Sequence, residues 1–258
     1  FQMITQEQQD FYWEQGYLII EDLFSEPEID KIYNRLALHA DKEWSNMLNP
    51  DRHDFIIMHT AQKLADMDKQ SEKVQYWREC EETANLISKL FRDKRIVNIL
   101  KELYNDQMYG LSTHMIWKKP GTSNAKQAWN PHQDNSYGQN VNGKILTINL
   151  MLDNTTVKNG AIYNFPGSHK EGLLDVNWDK SYEDPNKPGK YCNVPEQYKK
   201  YDVIGKKGTL YIQHGNLIHG SHGNTQTDTT RGMYSATYIT KDEHFQPGNE
   251  AFRKKVEL

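Results

Sequence analysis

The sequence predicts a mainly β protein, a sandwich or jelly roll of antiparallel strands behind a helical N-terminal layer. Three observations carry this prediction. Residues 1–107 place apolar side chains at helical spacing, residues from Met108 onward form short β-rich runs, and Gly, Pro and Asn separate those runs. Because no helix-length segment lies between the runs, antiparallel pairing is favoured over parallel crossovers.

The layer 1–107 shows clear helix starts and stops. Two capping boxes predict helix starts, and Gly16 predicts a stop before the apolar strand Tyr17–Ile20. The capping pairs are Thr5 with Gln8 and Ser25 with Glu28. Further helix is expected from about residue 81 to 105, with a buried stripe at helical spacing. That stripe contains Ile87, Leu90, Ile96, Ile99, Leu100 and Leu103.

The segment 108–240 is the expected jelly-roll core of a single domain covering 1–258. Its β-rich runs are MYGLSTHMIW, KILTINLML, GAIYNF, GTLYIQ and RGMYSATYIT. Residues 170–207 are polar, contain three prolines and show little periodicity, which predicts an insertion between two strands. Long ordered loops of this kind often serve as lids.

Composition and charge narrow the possible functions. The 258 residues carry 31 Lys plus Arg against 35 Asp plus Glu without a long basic block, which argues against a nucleic-acid partner. Cys80 and Cys192 are far apart, so neither a disulfide scaffold nor a thiolate zinc site is expected. The opening residues lack a signal-peptide profile and no apolar run reaches membrane-spanning length. We therefore expect a cytoplasmic protein with no membrane partner.

The stretch NPHQDNSYG places His132 and Asp134 two residues apart. On an extended segment such residues point to the same face, so the pair can hold one metal ion. Alone it is weak evidence, because short His-x-Asp matches arise by chance.

A third ligand is available in QHGNLIHGSH, which contains three histidines, His214, His219 and His222. Strand alternation places His219 on one face with Ser221 and places His222 on the other, while His214 lies across a turn. Arg231 follows His219 by twelve residues, a separation that allows an antiparallel return beside it. A buried guanidinium at that position would need an anion.

Two imidazoles and one carboxylate leave three coordination positions of an octahedral ion open, as in non-haem iron(II) oxygenases. An oxo acid can take two of these positions and dioxygen the third. An arginine fork suits the distal carboxylate of such an acid, and Ser221 can assist it.

Four motifs together resemble the phytanoyl-CoA dioxygenase family of iron(II)- and 2-oxoglutarate-dependent oxygenases over nearly the whole chain. They are His132-Gln133-Asp134, NGAIYNFPGSHKEG at 159–172, HGSHGN with Arg231 behind it, and DFYWEQGYLIIEDLFS near the start. The resemblance implies a double-stranded β-helix, the cupin-like jelly roll. It also implies hydroxylation of a small organic metabolite with release of succinate and carbon dioxide from 2-oxoglutarate.

The resemblance assigns roles to individual residues. It implies Fe(II) at His132, Asp134 and His219, and 2-oxoglutarate at Arg231 and Ser221. Further co-substrate contacts fall at His114, at Gln133, at Asn149 where the family commonly has tryptophan, and at a lysine within 72–80. Because the family's halogenases replace the metal aspartate with a small residue, Asp134 favours oxygenation.

Two other functions are compatible with the same ligands. One is a non-catalytic sensor module that binds iron and 2-oxoglutarate, and the other is a zinc hydrolase, in which Arg231 would lack a purpose. A coenzyme A thioester, a free amino acid, a phosphonate and a secondary metabolite all remain open as substrates. Trp129 and Tyr137 are the expected pocket walls, and a monomer or weak dimer is the expected assembly.

Overall fold

A computed structural model describes residues 3–37, 70–121, 125–126, 128–178, 190–245 and 255–258, and side chains in 70–80 lie outside the description. The helices are α1 (Gln6–Gln15), α2 (Glu26–Ala37), α3 (Gln70–Phe91), α4 (Lys94–Tyr104) and α5 (Asn135–Gly138), with a 3-10 turn at Ser168–Glu171. The strands are β1 (Tyr17–Ile20), β2 (Met108–Trp117), β3 (Trp129–His132), β4 (Ile145–Met151), β5 (Ile162–Asn164), β6 (Asn177–Trp178), β7 (Lys190–Tyr191), β8 (Tyr201–Val203), β9 (Leu210–His214), β10 (His219–Ser221), β11 (Gly232–Thr240) and β12 (Val256–Glu257). None of the described helices combines the length and apolar surface that crossing a bilayer requires.

The predicted helix starts in the N-terminal layer are confirmed. The Thr5 side chain accepts a hydrogen bond from the backbone of Gln8, the reciprocal bond is present, and Gly16 ends α1 in the left-handed conformation at φ 81°. At the start of α2, the backbone and hydroxyl of Ser25 both donate to Glu28 Oε2. Both pairs fix where the chain enters a helix.

The helical segment expected from about 81 to 105 is confirmed and consists of two helices, with a break that was not predicted. The chain breaks between α3 and α4, where Asp93 caps α4 by accepting a hydrogen bond from the Arg95 backbone at 2.9 Å. The side chain satisfies a backbone donor that a continuous helix would have paired internally. The apolar stripe still enters one core, because all six predicted residues are buried: Ile87, Leu90, Ile96, Ile99, Leu100 and Leu103.

The larger sheet has the order β1-β9-β4-β11-β2-β12. Its strands pair antiparallel, and the helical layer contributes its edge strand β1, which pairs with β9. Along β11, Tyr234, Ala236 and Tyr238 face the core built with the helices. The alternate residues, which include Met233, face the smaller sheet.

The smaller sheet has the order β3-β10-β5-β8, also antiparallel. Side chains join the two sheets: Met151 and Tyr211 pack with Ile162 and Val203, and the Asn164 amide donates to the Tyr211 hydroxyl at 2.8 Å. Two facing antiparallel sheets of this kind form the expected jelly roll. The fold class is therefore confirmed.

Two expectations about chain connections change. β10 and β11 lie in different sheets, so the segment after Arg231 does not return antiparallel beside His219 but crosses to the facing sheet. The segment 170–207 also contributes β8, which pairs with β5, so the irregular connection ends before Tyr201. Residues 179–189 of the proposed lid lie outside the described residues.

Candidate functional site

His132, Asp134 and His219 come together at one point, with their ligand atoms all within 4.8 Å of one another. Asp134 Oδ1 lies 3.7 Å from His132 Nε2 and 3.5 Å from His219 Nε2. Both imidazoles are buried. Two imidazole nitrogens and a carboxylate oxygen facing one space form a donor set suited to Fe(II) or Zn(II).

Different local structures position the three side chains. His132 ends β3 directly opposite His219, which begins β10. Asp134 has already left the strand, because it adopts helical dihedrals, φ −60° and ψ −34°, at the start of α5. The extended-strand argument for the His132–Asp134 pair was therefore wrong in its geometry, although the two side chains do meet.

Backbone carbonyls fix the orientation of both histidines. His132 Nδ1 lies 2.8 Å from the Asn130 carbonyl, and His219 Nδ1 lies 3.0 Å from the Leu217 carbonyl. A carbonyl only accepts, so each Nδ1 carries a proton and each Nε2 points into the cluster, where Gln213 Nε2 lies 2.9 Å from His219 Nε2.

The Asp134 carboxylate is held by two donors from the larger sheet. Its Oδ2 accepts hydrogen bonds from Thr147 Oγ1 at 2.6 Å and Gln213 Nε2 at 2.9 Å. This leaves Oδ1, the oxygen nearer the histidines, as the free ligand atom. Neither donor was singled out from the sequence, because the register that pairs Thr147 with Gln213 across β4 and β9 is what puts both side chains on one face.

The electrostatics of the site favour a cation. Burial lowers the pKa of His132 to about 4, and repulsion from His219 adds to the shift. Burial alone would raise the pKa of Asp134, but attraction and hydrogen bonding from His219, attraction from His132 and the Thr147 hydrogen bond hold it well below its usual value. Burial would lower the pKa of His219, but attraction and hydrogen bonding from Asp134 raise it. The carboxylate is therefore ionised and His132 is neutral.

The other two candidate histidines lie elsewhere. His214 packs against His169 with ring centroids 5.1 Å apart, and burial lowers its pKa to about 3. His222 Nε2 forms a hydrogen bond with Asp202 Oδ1 at 2.7 Å. Of the three histidines between 213 and 222, the structure brings only His219 to the cluster.

Arg231 is buried, with 1% of its surface exposed. Its Nε donates to the Gly160 carbonyl at 3.0 Å, and burial lowers its pKa to about 10 against the attraction of Asp153. The described residues place no carboxylate within ion-pair distance of it. Ser221 is also buried, and its Oγ accepts a hydrogen bond from Lys118 Nζ at 2.8 Å. Lys118 was not predicted as a site residue.

The remaining predicted co-substrate contacts have different surroundings. The Gln133 side-chain amide hydrogen-bonds to the backbone at both ends. Its nitrogen donates to the carbonyls of Gly172 and Asn216, and its oxygen accepts from the Leu174 N–H. Gln133 therefore anchors the start of the connection after residue 171. Asn149 and His114 are both paired with Ser235 across neighbouring strands, and the Ser235 hydroxyl donates to Asn149 Oδ1. The buried Asn149 Nδ2 has no hydrogen-bond partner among the described residues. The lysine expected within 72–80 falls on α3, where side chains lie outside the description.

A jelly roll that gathers two histidines and one aspartate beside the facing sheet defines the class of the protein: it is a dioxygenase that depends on iron and 2-oxoglutarate. Residues 12–233 match the family described as Phytanoyl-CoA dioxygenase (PhyH). The chain belongs to the phytanoyl-CoA dioxygenase family.

Individual relatives agree with this assignment. The chain is 25% identical over 267 residues to the phytanoyl-CoA dioxygenase of Arabidopsis thaliana, covering 93% of this chain and 90% of that protein. It superposes on the epimerase SnoN in complex with Fe3+, alpha ketoglutarate and nogalamycin RO with a TM-score of 0.68 at 15% identity, covering 98% of this chain and 94% of the other. EctD from S. alaskensis with 2-oxoglutarate and 5-hydroxyectoine gives a TM-score of 0.65 at 18% identity, covering 99% and 86%. At these identities the two structures support the fold.

Proposed function

We propose that this chain hydroxylates a small organic metabolite, with His132, Asp134 and His219 holding iron and with Arg231 and Ser221 holding the distal carboxylate of 2-oxoglutarate. The observation that carries the proposal is the three-residue cluster, whose ligand atoms lie within 4.8 Å of one another. Bound Fe(II), 2-oxoglutarate and dioxygen supply the oxidising power, yielding succinate and carbon dioxide.

The protein's own task at the metal is to fix geometry before iron arrives. Asn130 and Leu217 hold the two imidazoles, and Thr147 with Gln213 holds the carboxylate. A ligand set prepared in this way loses little conformational freedom on binding metal. Three protein ligands leave three positions of an octahedral ion for co-substrate and oxygen.

The Arg231 end of the barrel supplies the charge that a dicarboxylic acid needs. A buried guanidinium presents a planar fork that binds a carboxylate through two parallel hydrogen bonds. Ser221 follows His219 by two residues on β10, roughly 7 Å along a strand, which suits an acid reaching from the iron toward Arg231. Asn149, with its unpaired buried Nδ2, offers a further donor on the inward face.

Aromatic side chains flank the metal ligand His132. The rings of Trp129 and Tyr137 lie 5.6 and 6.2 Å from the His132 ring, and both residues are partly exposed. We assign them as walls for an apolar portion of the substrate. The connection that Gln133 anchors at Gly172 and Leu174 begins beside this position, which supports its assignment as a lid.

Turnover assays distinguish this function from its alternatives. Fe(II)-loaded protein should convert 2-oxoglutarate to succinate, and a correct substrate should stimulate that conversion and gain one oxygen atom by mass spectrometry. Binding of iron and 2-oxoglutarate without succinate formation for any compound would favour the sensor module. Metal-dependent hydrolysis without an oxygen requirement would favour the zinc hydrolase.

We also propose that 1–258 acts as one domain, as a monomer or weak dimer in the cytoplasm, without nucleic-acid or membrane partners. The buried, free thiol of Cys192 supports a reducing compartment. Size-exclusion chromatography with light scattering tests the assembly, and a concentration-independent tetramer would contradict it.

A further inference from the structure

We infer that Lys118 is a second cation for the distal carboxylate of 2-oxoglutarate, acting beside Arg231 and through the Ser221 hydroxyl. The inference rests on the proposed function and adds to it a residue that is not among the predicted site residues. Three features carry it: the position of Lys118, the lack of a carboxylate partner for its amine among the described residues, and the hydrogen bond it gives to Ser221.

Lys118 follows β2 and Arg231 precedes β11, and their backbones pair with each other. The Lys118 backbone nitrogen donates to the Arg231 carbonyl at 3.0 Å, and the Arg231 nitrogen donates back at 3.4 Å, extending the β2–β11 pairing by one residue. Each side chain is 1% exposed. Lys118 Nζ then reaches across the barrel to Ser221 Oγ at 2.8 Å and to the His222 carbonyl.

Gly160 contacts both Lys118 and Arg231. A Cβ at Gly160 would stand 2.6 Å from Lys118 Cδ, and the residue has φ +103°, which disfavours other side chains. Its carbonyl also accepts the Arg231 Nε hydrogen bond. One glycine thus leaves room for the Lys118 side chain and holds the Arg231 side chain through its carbonyl.

Neither side chain has a carboxylate partner among the described residues. Asp153 attracts Arg231 but does not lie within ion-pair distance of it. The Asp153 Oδ2 atom instead accepts a hydrogen bond from the Gly232 backbone N–H at 2.7 Å. Burial, with repulsion from Arg231, lowers the pKa of Lys118 to about 6. The Lys118 amine is therefore largely neutral at pH 7 beside the Arg231 guanidinium, and an arriving carboxylate stabilises its protonated form.

The hydrogen bond from Lys118 also orients Ser221. A serine hydroxyl has one proton to donate and two lone pairs. Because Ser221 Oγ accepts from Lys118 Nζ, its own proton is left for another acceptor. Lys118 therefore contributes a charge and directs the Ser221 hydroxyl toward the same anion.

The test compares two acids that bind iron through the same oxo-acid group. Anaerobic Fe(II) protein is titrated with 2-oxoglutarate and with 2-oxobutyrate, which lacks the distal carboxylate, using the absorption of the iron chelate. Lys118→Met should raise the Kd for 2-oxoglutarate by about ten- to a hundredfold, the range for a lost charge-assisted hydrogen bond, and leave that for 2-oxobutyrate unchanged. Lys119→Met, at the exposed neighbouring lysine, should match the wild type for both acids.

Thermal unfolding without ligand gives an independent readout. Since the folded-state pKa of Lys118 lies below its usual value, its ionisation opposes folding at pH 7–8. Lys118→Met should therefore melt at the same or a higher temperature than the wild type. Its melting temperature should nevertheless rise less than that of the wild type when 2-oxoglutarate and a redox-inert divalent metal are added. A residue with only a structural role would lose stability instead.

Different outcomes contradict different parts of the proposal. Two results would overturn only the role of Lys118. One is an unchanged affinity of Lys118→Met for 2-oxoglutarate, and the other is an equal loss of affinity for both acids together with a lower melting temperature. A wild type that fails to bind 2-oxoglutarate, or that binds 2-oxobutyrate equally well, overturns the carboxylate site and with it the proposed function.

Discussion

His132 and His219 stand directly opposite each other on neighbouring antiparallel strands, with ring centroids 4.4 Å apart. This register brings the two Nε2 atoms to the same side of the smaller sheet. Since side chains alternate along a strand, a slip of one residue would turn one imidazole away from the other. The pairing of β3 with β10 is therefore what forms the metal site.

The first prediction concerns the third metal ligand. His219→Ala should abolish substrate-stimulated succinate formation and greatly weaken Fe(II) binding, because it removes one of three ligands. His222→Gln, in the same segment but paired with Asp202, should retain both. Equilibrium dialysis with Fe(II) measures binding; full activity in His219→Ala with loss in His222→Gln would reverse the assignment.

The second prediction concerns the donors that hold Asp134. Thr147→Val removes the 2.6 Å hydrogen bond to Oδ2 and should weaken Fe(II) binding about ten- to a hundredfold, as for other residues that orient metal ligands. Gln213→Leu should act in the same direction. Thr240→Val alters another buried threonine, whose hydroxyl has no partner among the described residues, and should leave metal affinity unchanged. Equal Fe(II) affinities in Thr147→Val and Thr240→Val would show that the carboxylate needs no such support.

The third prediction concerns the distal carboxylate. Arg231→Lys keeps the charge but loses the fork, so the Kd for 2-oxoglutarate should rise by about ten- to a hundredfold while Fe(II) affinity stays nearly constant. Ser221→Ala should have a smaller effect, because a neutral hydroxyl contributes less than a guanidinium. Anaerobic titration of the iron chelate measures both. An Arg231→Lys protein that binds 2-oxoglutarate with normal affinity, or that loses only its affinity for Fe(II), would disprove this role of Arg231.

The fourth prediction concerns acid stability through His214. Its folded-state pKa is about 3, against 6.5 for a free imidazole, so the unfolded chain takes up its proton first as the pH falls. The unfolding free energy should be highest above about pH 6.5 and decline from there toward pH 3. His214→Asn should flatten this decline, whereas exposed His244→Gln should not. Urea unfolding of metal-free protein at pH 7 and pH 5 measures the slope, and an unchanged slope in His214→Asn would rule His214 out.

The sequence predicts those features that depend on local pattern. Alternation along 217–222 selected His219 over His222, and the Thr5 capping box marked the start of α1. These succeed because side-chain direction and backbone capping are set within a few residues.

Features that depend on tertiary packing escaped prediction. The break at Asp93 is invisible in an apolar stripe that continues through it, and the helical dihedrals of Asp134 follow from the turn into α5. The division of β10 and β11 between two sheets cannot be read from their spacing in the chain. Lys118 is followed in the sequence by another lysine, Lys119, which is exposed, so only burial in the folded structure distinguishes the two.

The origin of the donors around Asp134 links the enzyme's abundance to metal supply. His132 and His219 belong to the smaller sheet, whereas Thr147 and Gln213 reach Asp134 from the larger one. A bound ion therefore joins the two sheets, and unfolding must release it. A free metal concentration a hundred times the Kd adds about 2.7 kcal/mol to the free energy of unfolding. Cells short of iron should consequently degrade this protein faster, so that its lifetime reports the metal status of its surroundings.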